Sequence, residues 1–182
     1  NTLFCVGAET GKVLWTHQYP CEKAPKYFQG GSRSTPAISD GILYLNSHQG
    51  DFYALDAENG KILWTKNLLK DFGGRRPDWG FSGSPLCVAD KVIFETGSEK
   101  GSLVALDAKS GEPRWRAGGH EAAYSSPMMR AYGKGEILVF NGYGLVSHNL
   151  SDGRELKRYQ HKTRFGINAT QPIDMGSSVL IS

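Results

Sequence analysis

One fourteen-residue phrase limits what this chain can become. It reads FYALDAENGKILWT at Phe52–Thr65 and returns as LVALDAKSGEPRWR at Leu103–Arg116. A third copy, Leu3–Thr16, keeps Gly11 and Trp15 but has Gly7 where the others carry aspartate. A fourth, Leu145–Arg158, keeps Gly153, softens the acid to Asn149 and puts Lys157 at the tryptophan position. The turn glycines Gly11, Gly60, Gly111 and Gly153 are separated by 49, 51 and 42 residues. A second marker, Pro36, Pro85, Pro127 and Pro172, recurs at 49, 42 and 45. A chain built this way folds as an array of similar units.

Each unit reads as four short strands. A proline opens a brief strand, where its missing N–H costs no ladder bond. A dense apolar run follows (Ile42–Leu45, Val92–Phe94, Ile137–Phe140, Val179–Ile181), then a glycine-containing turn and the repeated phrase. Runs such as ILYL and ILVF are apolar continuously, as in strands covered on both faces. The turn DAENGK suits a type I turn closed by a left-handed glycine, with Asp56 bonding its amides. No helical periodicity is present. The fold expected is all-β: a β-propeller of four-stranded antiparallel blades. A sandwich is the alternative, although it would not require such regular spacing. The expected units are the end of one blade (1–19), blades at 34–67, 84–117 and 126–160, and the start of another (170–182). These four blade equivalents read as part of a propeller of about eight blades, whose remaining blades belong to the same chain. Alone, such a segment would be an open arc with two unpaired sheet edges, prone to association.

Composition excludes more than it assigns. A formal net charge of +3 with acids and bases interspersed does not suit nucleic acid. No apolar run approaches the length of a membrane span. Cys5, Cys21 and Cys87 form no CxxC pair, so neither a zinc site nor a disulfide framework is indicated. Cys5 and Cys87 read as small hydrophobes in strands. The five histidines lack ligand spacing, and no metal site is expected. His120–Glu121 resembles a base and its orienter, but neighbouring residues in an extended chain point apart. No serine sits in a nucleophile elbow and no phosphate loop appears, so no catalytic residue is assigned. The serines before the prolines (Ser84, Ser125, Ser126) read as strand-entry hydrogen bonders.

The pattern A-x-D-x-x-x-G-x-x-x-W, carried by Ala54, Asp56, Gly60 and Trp64 and by Ala105, Asp107, Gly111 and Trp115, resembles the tryptophan-docking motif of the quinoprotein-type propellers. That family includes pyrroloquinoline-quinone-dependent alcohol dehydrogenases and the propeller lipoprotein of the outer-membrane β-barrel assembly machinery. The phrases GSRSTP (31–36), WGFSGSPL (79–86), AYSSP (123–127) and GINATQP (166–172) resemble bacterial exported proteins of pyrroloquinoline-quinone-like repeats. The resemblance implies a tryptophan packed on the adjacent blade and a periplasmic or otherwise exported location. For dehydrogenase members it implies the quinone, a vicinal Cys–Cys disulfide, a calcium held by Glu, Asn and Asp, and a catalytic Asp. This sequence has no Cys-Cys and no recognisable Glu/Asn/Asp cluster, so no cofactor is evident in it.

Function is expected at the rim. The segments before each first strand, with the turns between second and third strands, are expected beside the central channel, where loops on a rigid scaffold collect binding residues. The first set supplies Arg33, Trp79, Phe81, Tyr124, Arg164 and Asn168; the second supplies His48, Glu99 and Tyr143. The long Lys66–Ser84 connection mixes charge and aromatics, including Arg75 and Arg76, which suits a ligand or partner surface. Trp79 and Phe81 could equally plug the gap between blades, and Asn168 could bond its own loop. The reading is a non-catalytic exported propeller offering its rim to a protein, polysaccharide or small molecule. The alternative is a quinone-dependent alcohol or sugar dehydrogenase whose catalytic groups lie mostly outside this segment.

Overall fold

A computed structural model describes residues 1–23 and 31–182. Its strands are β1 (Thr2–Val6) and β2 (Val13–Gln18), then β3 (Ala37–Ser39), β4 (Ile42–Asn46), β5 (Asp51–Asp56) and β6 (Ile62–Asn67). There follow β7 (Leu86–Val88), β8 (Lys91–Glu95), β9 (Leu103–Asp107) and β10 (Pro113–Ala117). The last set is β11 (Met128–Met129), β12 (Glu136–Phe140), β13 (Gly144–Asn149) and β14 (Glu155–Gln160), then β15 (Ile173–Asp174) and β16 (Val179–Leu180). Three four-stranded antiparallel sheets run β3-β4-β5-β6, β7-β8-β9-β10 and β11-β12-β13-β14, flanked by the pairs β1-β2 and β15-β16. This is a β-propeller arc, and we call its three complete sheets blades one, two and three.

Burial falls from the second strand to the fourth within each blade. The second strands are nearly continuous core: Tyr44, Val92, Ile93, Ile137 and Phe140 are all fully buried. The fourth strands are the more exposed, with Trp64 and Trp115 partly buried within β6 and β10. Cys87 is packed against the core, where burial pushes its thiol up to about 11, while Cys5 is only partly buried in β1.

The repeated phrase closes one hairpin four times. Gly11, Gly60, Gly111 and Gly153 have φ of 64°, 74°, 72° and 74°. Their amides donate to the carbonyls of Gly7, Asp56, Asp107 and Asn149. Asp56 accepts the Glu58 amide at 2.8 Å, Asp107 those of Lys109 and Ser110, and Asn149 that of Ser151. An amide oxygen thus does the aspartate's work in the last copy. In the first, Gly7 offers no side chain, and what remains is the bond from the Lys12 amide to Thr10 Oγ1, which the other copies share at Asn59, Ser110 and Asp152.

The same turn is where neighbouring blades meet. Trp15 donates its indole N–H to Ala57 O at 3.2 Å, Trp64 to Ala108 O at 3.1 Å and Trp115 to Leu150 O at 3.0 Å. Each ring lies flat over the next blade's turn glycine. A Cβ on Gly60, Gly111 or Gly153 would come within 2.6, 2.7 or 2.5 Å of the indole. Glycine is therefore required twice, by its left-handed backbone and by the ring above it. Tyr44 adds a second donor to Ala108 O at 2.9 Å, and Trp64 stacks on Phe52 beneath it. Toward the channel a second connection runs through the residues beside the prolines. Ser84 Oγ accepts the Thr35 amide at 3.1 Å, and Ser126 Oγ accepts the Ser84 amide at 2.8 Å.

Candidate functional site: a cavity at the blade-entry rim

The first strands are the innermost, since β3 and β7 lie against each other across the blade boundary. The segments entering them therefore collect at the channel mouth. There, Arg33, Trp79, Ser82, Tyr124 and Ile167 line one cavity of about 310 Å³. They come from the entries to blade one, blade two, blade three and the β15-β16 sheet. Four successive units each contribute, and the residues differ in every one.

Backbone bonds hold these walls in place. The Trp79 amide donates to the Tyr124 hydroxyl at 3.3 Å, and Ser82 Oγ donates to Tyr124 O at 3.2 Å. The amides of Tyr124 and Ser125 both donate to Asn168 O, tying the third entry segment to the fourth. Gly80, at φ 80°, lets its turn press against His48 and the Arg33 guanidinium; a Cβ there would sit 2.6 Å from His48 O. Burial pushes the Tyr124 phenol up, so it is a neutral donor at physiological pH. The surface the cavity exposes is apolar, from the Trp79 and Tyr124 rings, Ile167 and the carbon atoms of Arg33 and Ser82. That surface suits a flat or ring-shaped group held by stacking.

The remaining expected rim residues are placed otherwise. Phe81 is 3% exposed and packs between blades against Gly50 and Leu68 in the core, so it is a plug. Asn168 is fully buried; its amide donates to Asn141 O at 2.6 Å and His161 O at 3.2 Å, and its oxygen accepts Thr163 Oγ1. It organises the loop and offers the cavity nothing. Arg164 is exposed and stacks on Phe165, which is itself 79% exposed with φ 69°. Both sit outside the cavity lining, while Ile167 of the same loop lies within it.

The turns between second and third strands point elsewhere too. His48 is buried with Nδ1 3.4 Å from Cys21 Sγ, and burial holds its pKa down. Glu99 is exposed and pairs with Arg75 at 3.2 Å; Glu121 reaches the same arginine at 3.6 Å. Tyr143 stacks on His120, 4.6 Å between ring centres, with Arg158 above it. His120 faces Glu155 at 3.7 Å, so His120 and Glu121 serve different partners and form no catalytic pair. Sequence reasoning missed Ser82 and Ile167. Their blade-entry positions were the available signal, but neither residue type draws attention.

Comparison with known proteins gives the family and the fold. A family model described as outer membrane protein assembly factor BamB matches residues 1–182. The chain belongs to this family of pyrroloquinoline-quinone-like repeats. Over 99% of its length it is 23% identical to the tetrathionate hydrolase of Acidithiobacillus ferrooxidans, and over 70% it is 32% identical to the quinoprotein ethanol dehydrogenase of Pseudomonas aeruginosa. It spans only 37% and 20% of those two relatives. Among solved structures, the quinohemoprotein alcohol dehydrogenase from Comamonas testosteroni superposes with a TM-score of 0.73 at 18% identity, covering 94% of this chain and 34% of that one. BamB from Moraxella catarrhalis superposes at 0.58 with 19% identity, covering 84% and 40%. These likenesses show the propeller fold.

The quinone and calcium implied by the dehydrogenase relatives can be tested against the side chains present. Cys5, Cys21 and Cys87 are separate free thiols, with no vicinal pair. Among the described residues no three His, Cys, Asp or Glu side chains converge as a metal donor set. The Trp79 face could take a flat ring, but the acidic oxygen ligands for calcium are not assembled beside it. The described residues alone do not fit the group.

Proposed function

We propose that this segment is part of an exported propeller that acts as a binding or scaffold module, with the Arg33–Trp79–Tyr124 cavity as its contact point. The observation that carries this reading is the convergence of four blade-entry segments on one cavity of about 310 Å³ lined by an indole, a phenol and a guanidinium. Its walls are fixed by hydrogen bonds before any ligand arrives, which lowers the ordering cost of binding. The group taken would be an aromatic or sugar ring laid against these apolar faces, presented by a protein, a polysaccharide or a small molecule. The same cavity needs no proton transfer or nucleophile to do this.

Photocrosslinking in the full-length protein tests the reading. A crosslinker at Trp79 should capture a partner that one at exposed Ile62, on the outer edge, does not. Equal capture at both positions would remove the cavity from the binding surface.

The relationship to quinoprotein ethanol dehydrogenase supports a second reading, a dehydrogenase whose metal ligands lie in other blades. Full-length protein would be titrated with pyrroloquinoline quinone and calcium, followed by dye-linked alcohol oxidation. Saturable, stoichiometric quinone binding with turnover would overturn the scaffold reading; the absence of both would overturn the dehydrogenase one.

A further inference from the structure

Beside the rim cavity lies a second, narrower space, of about 10 Å³, between blades one and two and the segment entering blade three. It has room for a single water-sized occupant. Asn46 at the end of β4 and Glu95 at the end of β8 both line it, and they hold equivalent register positions, opposite Phe52 and Leu103. Asn46 is 4% exposed, yet its Oδ1 has no hydrogen-bond partner among the described residues. A buried acceptor of this kind requires a donor. The hydroxyls in the wall are committed: Ser82 Oγ to Tyr124 O and Ser125 Oγ to Ser126 O. The rest of the lining is apolar, from Leu68 and Phe81 on one side to Ala122 and Ala123 on the other. Among the described residues, no charged or titratable side chain other than Glu95 lines the space from β4, from the β6–β7 connection or from the segment before β11. Desolvation pushes the Glu95 carboxyl up to about 8, opposed only by a hydrogen bond from the Ala123 backbone, although the residue as a whole is only partly buried.

We propose that the Glu95 carboxyl proton is the donor that satisfies Asn46 Oδ1, directly or through one water, so that the acid form latches blade two to blade one. Ionisation turns the donor into an acceptor facing another acceptor, and the latch opens. The sign follows from the raised pKa. The latch contribution is full below the unfolded value of 4.5, and is lost as pH rises through about 8. Ser82 lines both this space and the rim cavity, and the Ala123 amide on the carboxyl precedes Tyr124. The proton therefore also sets the position of two cavity walls, a consequence that rests on the binding reading above.

Carbon-13 NMR of glutamate-labelled full-length protein, with Glu95→Gln for assignment, reads the latch without any ligand. Glu95 should titrate near 8, and Asn46→Leu should lower its midpoint by about one unit, a tenfold change, because the protonated form loses its acceptor. A double-mutant cycle of Asn46→Leu and Glu95→Met, neither replacement able to donate or accept, run on unfolding midpoints at about pH 6 and about pH 9.5, should show coupling at the lower pH only. Titration of Glu95 in the ordinary carboxylate range, or coupling that is unchanged with pH, would overturn the latch. If Glu95→Gln does not fold, comparing the titrations of wild type and Asn46→Leu still decides. Failure of the crosslinking experiment at Trp79 would leave these readouts untouched, so the two ideas fail separately.

Discussion

The outer side of the arc and its channel mouth are built on opposite principles. Outside, one device is used three times: Trp15, Trp64 and Trp115 each cover the next blade's turn glycine and donate to a carbonyl of that turn. At the mouth, the entry segments of successive units supply Arg33, Trp79, Tyr124 and Ile167, from different positions and with no two alike. Repetition marks what every blade needs in order to stack, and divergence marks what only the assembled wheel can do. The motif richest in apparent chemistry, aspartate–glycine–tryptophan, belongs to the first class.

The sharpest way to break this contrast is to strike a lock. Trp64→Ala removes a stacked ring and a hydrogen bond at the junction of blades one and two, and should destabilise by about 3–5 kcal/mol in denaturant unfolding. Gly111→Ala attacks the same junction from the other side. It places a methyl 2.7 Å from the Trp64 ring on a left-handed backbone, and should cost about 1–3 kcal/mol. Ser84→Ala takes the acceptor from the Thr35 amide on the channel side, for a loss of about 1 kcal/mol. Arg33→Gln at the mouth should move stability by less than about 1 kcal/mol, yet abolish capture by a Trp79 crosslinker. If Arg33→Gln unfolds the protein as Trp64→Ala does, the division between frame and mouth is wrong. The smallest effect is expected for Asp107→Asn, because Asn149 already closes the same turn in the last copy. Asp107 is held low by the Ser110 amide and by Arg114, so its contribution is present above the ordinary carboxylate value and fades as pH falls below it. Replacement by asparagine should flatten that acid limb of the stability curve with little change near neutrality.

What could be read from the chain divides along the same line. Spacing of glycine and proline was enough for the fold, because the turn glycine and the strand-entry proline report local backbone geometry that every copy shares. The mouth was legible only as a list of candidates. Phe81 and Asn168 have the same sequence context as Trp79 and Tyr124, yet one is a core plug and the other a loop clamp. Which way an irregular segment turns its side chains depends on the neighbouring blade, and no local pattern encodes that. Asn46 and Glu95 were hidden more deeply. Each ends an apolar strand on its own, and their meeting exists only between two blades.

Lys157 stands where a fourth tryptophan would be. The junction beyond it is held by ions and backbone bonds instead: Arg130 reaches Asp174 at 3.5 Å and Gly176 O at 2.6 Å, and Asp174 accepts the Tyr132 amide. Since each lock joins nearest neighbours only, the blades form a one-dimensional chain of couplings, and such a chain comes apart first at its weakest bond. Amides in β15 and β16 should therefore exchange with solvent as a separate, salt-sensitive unit, ahead of the three blades clamped by indole.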